Sequence, residues 1–353
     1  ILVSTRSPPA IKRSEIVYAE GIVKPGFGSF PIVLSSATVR SVRPPPIDDT
    51  GRKVRDWFAE KVRQLIPEPQ ASLGVGFLTG QKSALPVDLF EALKIAGLTH
   101  IVVASGYNLN ILVRLARKLC KNASKYLSAV SSVAMIISFI AITGMSPSMT
   151  RAGIVSGISI LSWYYGRGSH PLVLLPVVAA ITVAFQPSYV WGDLGWQLSF
   201  SAFAGVMIVA PLLQHYFFGP KEPGLVRQVM TETVSAHLVT MPIIAVSFGT
   251  LSNVAILANL LVVPLVPIAM LLTFVTGFWA AIGLGLGWLI ATPATWLLGY
   301  MTTAATYMSE FSWAQSTLAI SGWVWLSYAA LLCISCWWMW HATGYNFRNG
   351  ETI

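Results

Sequence analysis

The chain has 353 residues and a formal net charge of +9, with 54% hydrophobic, 11% aromatic and only 10% charged residues. Soluble domains carry about 25% charged residues, so most of this chain lacks the polar surface that a soluble fold requires. Residues 1–125 hold 18 of the 23 Lys and Arg, and no Asp, Glu, Lys or Arg lies between Thr233 and Ser309. That charge-free stretch accommodates three bilayer crossings at about 20 residues each. The composition is that of an integral membrane protein.

Residues 16–40 alternate loosely between apolar and polar, with Gly and Pro as punctuation (Ile16, Tyr18, Gly21-Ile22-Val23, Phe30-Pro31-Ile32-Val33-Leu34). This pattern predicts two or three strands of a small β unit. A proline-rich linker, RPPPIDDT, follows at 43–50. In residues 51–67, Val54, Trp57, Phe58, Val62, Leu65 and Ile66 share one helical face, and Arg52, Lys53, Arg55, Lys61 and Arg63 populate the rest. A Trp-bearing apolar stripe with basic flanks fits a helix lying in the membrane interface. A helix packed on the β unit fits it too, and the same basic face could meet nucleic acid.

From residue 95 onward the chain is predominantly apolar. Candidate spans run over 95–113, 126–144, 148–165, 171–186, 196–213, 233–249, 253–275, 278–300 and 318–340, with 253–300 open to broken helices instead of two clean ones. In the last, Trp323 and Trp325 stand near one end and Trp337, Trp338 and Trp340 near the other. At 1.5 Å per residue they are about 26 Å apart, close to the hydrocarbon thickness, and read as two interfacial belts. Loop charges set the orientation. The connection at 114–125 carries Arg114, Arg117, Lys118, Lys121 and Lys125 with no acid. Basic loops then alternate with neutral or acidic ones, so 114–125, 166–170 and 214–232 are expected on the cytoplasmic side, with residues 1–94 outside.

Polar groups at membrane depth are costly and mark functional candidates. Four clusters stand out. Ser105-Gly106-Tyr107-Asn108-Leu109-Asn110 interrupts an apolar helix and predicts a break or kink. Arg151, in SPSMTRAG, either snorkels to the interface or turns a forked guanidinium toward a polar interior, where it can meet phosphate. Asp193, Gln197 and Ser199 lie together in WGDLGWQLSF; water contact and interhelical hydrogen bonding are the plainer readings. Asn259 precedes Pro264 and Pro267, whose missing donors force a broken helix, tolerated at depth only where protein or a water-filled cavity covers it. His237 reads as a packed histidine, and Cys333 and Cys336 as small residues of a membrane helix.

The sequence contains no G-x-x-x-x-G-K-[ST], no H-E-x-x-H and no G-x-S-x-G, and its five histidines are scattered singly. No enzyme, no metal site and no cofactor are expected.

The four clusters, in this order, resemble the competence domain of the ComEC family of inner-membrane DNA-uptake channels. AGLTHIVVASGYNLNILV is similar to the family's GLSH…ISGLH segment, SPSMTRAG to its S…RA helix start, GDLGWQLSF to its D.GFQLSF, and NVAILANLLVVPLVP to its asparagine- and proline-containing helix. The resemblance implies an all-α polytopic membrane protein of about eight or nine transmembrane helices, some broken, with a partial OB-like β region in front. Its divisions are a partial OB-like region outside the cytoplasm (1–45), a linker with the amphipathic helix (46–94), the polytopic domain (95–342) and a cytoplasmic tail (343–353).

The implied function is a channel for inward translocation of single-stranded DNA across the cytoplasmic membrane during natural transformation. Ser105, Gly106, Asn108, Asn110, Arg151, Asp193, Gln197, Ser199 and Asn259 would line the path, with Arg151 the phosphate contact. Implied partners are single-stranded DNA, the bilayer, a DNA receptor and a cytoplasmic helicase or single-strand-binding protein. Asn108 stands where the family has a histidine, so no protonation role carries over to it. No metallo-β-lactamase-like nuclease follows the last span, which leaves strand degradation to another protein or to a longer chain. The rival reading is a secondary transporter of a small anion or lipid precursor, which also uses broken helices and midplane polar residues.

Overall fold

The computed structural model describes residues 2–3, 15–27, 30–43, 49–81, 84–102, 106–120, 124–144, 147–168, 170–220, 223–283, 285–317 and 322–347. Ser105, residues 44–48 and the tail beyond 347 lie outside the described residues. Strands β1 (Leu2–Val3), β2 (Ile16–Phe27) and β3 (Phe30–Arg43) form one sheet in the order β1-β3-β2, with β2 antiparallel and β1 parallel to β3. Two register shifts bulge β2, between Tyr18 and Ala19 and between Glu20 and Ile22. Gly21 sits in the second, where a Cβ would come within 2.9 Å of the Ser35 carbonyl oxygen.

The rest is helical. In chain order the helices are α1 (Thr50–Arg63), α2 (Gln70–Thr79), α3 (Val87–Ile95), α4 (Thr99–Val102), α5 (Gly106–Cys120), α6 (Lys125–Thr143), α7 (Pro147–Tyr164) and α8 (Pro171–Phe185). Then come α9 (Tyr189–Gly192), α10 (Leu194–Ala204), a π-helical turn at Gly205–Val209, α11 (Ala210–Phe218) and α12 (Leu225–Phe248). Strand β4 (Thr250–Ser252) precedes α13 (Ala255–Val262), a 3₁₀ turn at Val263–Leu265, α14 (Val266–Ile282) and α15 (Gly287–Ser309). Strand β5 (Gln315–Thr317) pairs antiparallel with β4, and α16 (Gly322–Thr343) follows.

Two apolar cores organise the helices. The larger joins α1 to α4 with α13, α14 and α15; the smaller holds Leu109, Val113, Ile136, Phe139, Met149 and Ile160 of α5, α6 and α7. Part of the face of α1 that the sequence offered to a lipid interface is covered by protein here, while Val54 at its start stays exposed. Val62 and Ile66 are buried, and a Cβ on Gly277 of α14 would lie 2.8 Å from Val62 and closer still to the Phe58 ring. Trp57 stays 48% exposed. Where apolar tails surround a helix, such close approach at small residues is what drives association.

α2 departs furthest from the sequence reading, which left 68–94 in a linker. Every residue from Ala71 to Thr79 is buried. Gly74 faces Thr273 of α14 and Leu298 of α15, and Gly76 faces Val102 of α4.

Among the described residues, five helical stretches are long and apolar enough to cross a membrane: Lys125–Thr143, Leu194–Phe218, Val226–Phe248, Ala255–Ile282 and Trp323–Thr343. This is a multi-pass membrane protein, although the expected eight or nine spans are not all met. The segment 95–113 is not one helix. α3 stops at Ile95, α4 has four residues, and α5 restarts at Gly106 and carries Arg114, Arg117 and Lys118. α8 is apolar but short, and Pro264 marks the break between α13 and α14.

Side-chain contacts gather the basic loops on one face. Arg117, near the end of α5, and Lys125, at the start of α6, lie over the Trp163 ring at the end of α7. His170 at the start of α8 meets the Phe347 carbonyl after α16, and His215 at the end of α11 packs on Tyr345. The loops grouped by charge therefore share a side. Replacing Gly277 with Val should lower the midpoint of thermal unfolding, because overpacking costs about 1–3 kcal/mol. Phe58→Ala in the same chain should recover part of the loss, as read by melting of the detergent-solubilised protein.

Candidate functional site

One side chain of α5 is tied to both α2 and α4. Asn108 is fully buried, and its amide nitrogen donates to the carbonyl of Phe77 at 3.0 Å and to that of Ile101 at 3.1 Å. Phe77 lies in the last turn of α2 and Ile101 in α4, so both carbonyls belong to helix ends that lack partners of their own. Asn108 ties three helical pieces together.

Gly106 and Asn110 point elsewhere on α5. A Cβ at Gly106 would sit 3.0 Å from the Ala152 Cβ, so the start of α5 lies against α7. One turn on, Asn110 Oδ1 accepts from Ser156 Oγ at 3.3 Å. The matched order of these pairs, continued by Arg117 over Trp163, makes α5 and α7 parallel neighbours.

Arg151 is one residue from the Gly106 contact and is only 5% exposed. Its Nη2 donates to the Gly195 carbonyl at 2.8 Å, while Nε and Nη1 are buried without a partner. The Asp193 carboxylate is close enough to act on its charge. Asp193 caps α10, its Oδ1 accepting from the Trp196 amide at 2.8 Å. Gln197 Nε2 donates to the Val190 carbonyl of α9 at 2.8 Å, and the Trp196 indole donates to Thr182 Oγ1 of α8 at 2.9 Å.

α7 thus carries a polar contact on each side, Ser156 with Asn110 of α5 and Arg151 with the Gly195 carbonyl beside Asp193 and Gln197. With Gly106 packed at Ala152, these groups outline a polar seam across α5, α7, α9 and α10. Ser199 is exposed, and Asn259 is buried on α13 with an unpartnered Oδ1 and no contact to the seam among the described residues. Ser156, Thr182 and the Gly195 carbonyl were missed in the sequence, since lone hydroxyls and carbonyls leave no pattern. Among the described residues no cluster of three His, Cys, Asp or Glu could hold a metal ion.

Buried polarity strung along membrane helices defines a multi-pass membrane protein with an internal polar seam. The family model for competence protein matches residues 77–342, and the chain belongs to that family, as the ComEC competence domain. No curated protein and no solved structure matches it.

Asn108→Leu strands two buried carbonyls, each costing about 1–3 kcal/mol. Thermal unfolding of the purified variant should show a large loss of stability, and Asn108→Asp, which offers acceptors to acceptors, should behave no better. An unchanged melt would remove Asn108 from the frame of the fold.

Proposed function

We propose that the protein passes single-stranded DNA inward across the cytoplasmic membrane during natural transformation. Family membership supports a role in competence. The observation that carries the finer reading is Arg151, a buried guanidinium with two unpartnered nitrogens at the junction of α7 and α10. A forked, permanently charged donor suits the two oxygens of a phosphodiester.

Apart from the Asp193 carboxylate beside Arg151, the rest of the seam is amides, hydroxyls and carbonyls. Transit of a polyanion needs contacts weak enough to release it, and a polar lining whose one cation is offset by the Asp193 carboxylate meets that need better than a row of bases would. Excess positive charge in residues 1–125 supplies salt-sensitive attraction at the ends of the path. The DNA receptor outside and the helicase or single-strand-binding protein inside belong to the same proposal. Of the nine path residues first expected, Gly106, Asn110, Arg151, Asp193 and Gln197 belong to it as well. The reading assigns no chemistry to this chain, which acts as a conduit.

Arg151→Lys separates the fork from the charge, since an ammonium can still donate to the Gly195 carbonyl. Uptake of labelled DNA into a nuclease-protected cytoplasmic pool should fall about tenfold, the scale of one hydrogen bond to a charged group. Membrane insertion and melting should be unchanged. Normal uptake would exclude phosphate recognition by the fork. Lost uptake in the deletion strain, restored by the intact gene, separates this function from transport of a small anion.

A further inference from the structure

The corner where α5, α6 and α7 meet carries positive charge without a matching acid. Arg114, Arg117 and Lys118 lie in the second half of α5 and Lys125 opens α6. The nearest acids in sequence are Glu91 and Asp193. Glu232 of α12 acts on Tyr107 at the other end of α5 and accepts a hydrogen bond from Gln228. Among the described residues, none of the four cations forms an ion pair.

Two of them converge on one ring. The Arg117 guanidinium carbon is 4.4 Å from the centre of Trp163, and Lys125 Nζ is 5.6 Å from it and 5.7 Å from the centre of Tyr164. Each cation is attracted to the ring face, yet the two repel one another, and a shared anion relieves that repulsion. An apolar stripe starts at the next residue. Tyr126, Val130, Val133 and Ile137 are 67%, 44%, 42% and 63% exposed and follow one side of α6, a helix apolar enough to cross a membrane.

We propose that this corner is a headgroup site for an anionic phospholipid. Arg117 and Lys125 take the phosphodiester, Trp163 and Tyr164 frame it at the interface, and an acyl chain lies along the α6 stripe. Cations and rings alone would also suit a single strand of nucleic acid. The stripe decides for lipid, because an exposed apolar track leading away from the phosphate site serves an acyl chain and not a nucleotide. Basic pockets between membrane helices on the cytoplasmic side are where such headgroups bind. The site is independent of the DNA path, and lipid binding can be tested without uptake.

The test is native mass spectrometry of the delipidated full chain, incubated with equal amounts of phosphatidylglycerol and phosphatidylcholine bearing the same acyl chains. The unaltered protein should retain phosphatidylglycerol about tenfold in excess, the scale expected of two basic side chains facing an anionic lipid. Arg117→Gln with Lys125→Gln should abolish the preference. Lys125→Gln alone, at an exposed position where folding is not at stake, should cut it by at least half. Adducts that survive millimolar ammonium phosphate support a lipid over free phosphate. Equal retention of both lipids by the unaltered protein, or loss of the adducts to phosphate, overturns the proposal. Displacement by a single-stranded oligonucleotide that no longer binds Lys125→Gln overturns it as well, and gives the corner to nucleic acid.

Discussion

A helix that ends in apolar surroundings leaves carbonyl oxygens that water cannot reach, and such groups are stable only when something donates to them. Asn108 meets this constraint for two helix ends at once, through one amide group shared by Phe77 and Ile101. The rest of the seam follows from that tie. With α2 and α4 fixed to it, α5 starts where Gly106 can approach Ala152, and Asn110 comes opposite Ser156. α7 is then in register to carry Arg151 to the Gly195 carbonyl beyond it.

Asn108 is thus a residue whose visible work is structural. A carboxamide has two donors on one nitrogen and needs no proton balance to use both. Two converging carbonyls suit it better than they would suit a neutral imidazole, which has one N–H. The polar groups beside it divide the labour: Asn108 ties α2 and α4 to α5, while Asn110 and Arg151 face the helices across which the seam runs.

Much of this was legible in the sequence, for physical reasons. Charge exclusion from apolar helices marked the membrane domain, and the basic loops sorted themselves onto the face that Arg117, Lys125, His170 and His215 contacts bring together. The weak point at Pro264 was visible because backbone rules act locally. Burial of α2 was not read, although ASLGVGFLTG has no charge and is rich in small residues. Its neighbours Thr273 and Leu298 are some 200 positions away, and ten residues are too few to register as a span. The partner of Arg151 was hidden for a similar reason: a glycine carbonyl in another segment has no sequence signature. The 95–113 segment misled because apolar average concealed a chain that stops, turns and restarts.

The proposed route of DNA is the polar seam between α5, α7 and α10. Its most direct test is thiol labelling in a functional chain with Cys120, Cys333 and Cys336 replaced by Ser. Single cysteines at Asn110, Ser156 and Gln197 would be probed from outside with a charged, membrane-impermeant reagent, before and during DNA uptake. Ile137, exposed on α6, is the comparison. The account predicts labelling at the three seam positions that falls while DNA is passing, and none at Ile137. Normal uptake with no seam labelling, or labelling that passing DNA leaves unchanged, would contradict it.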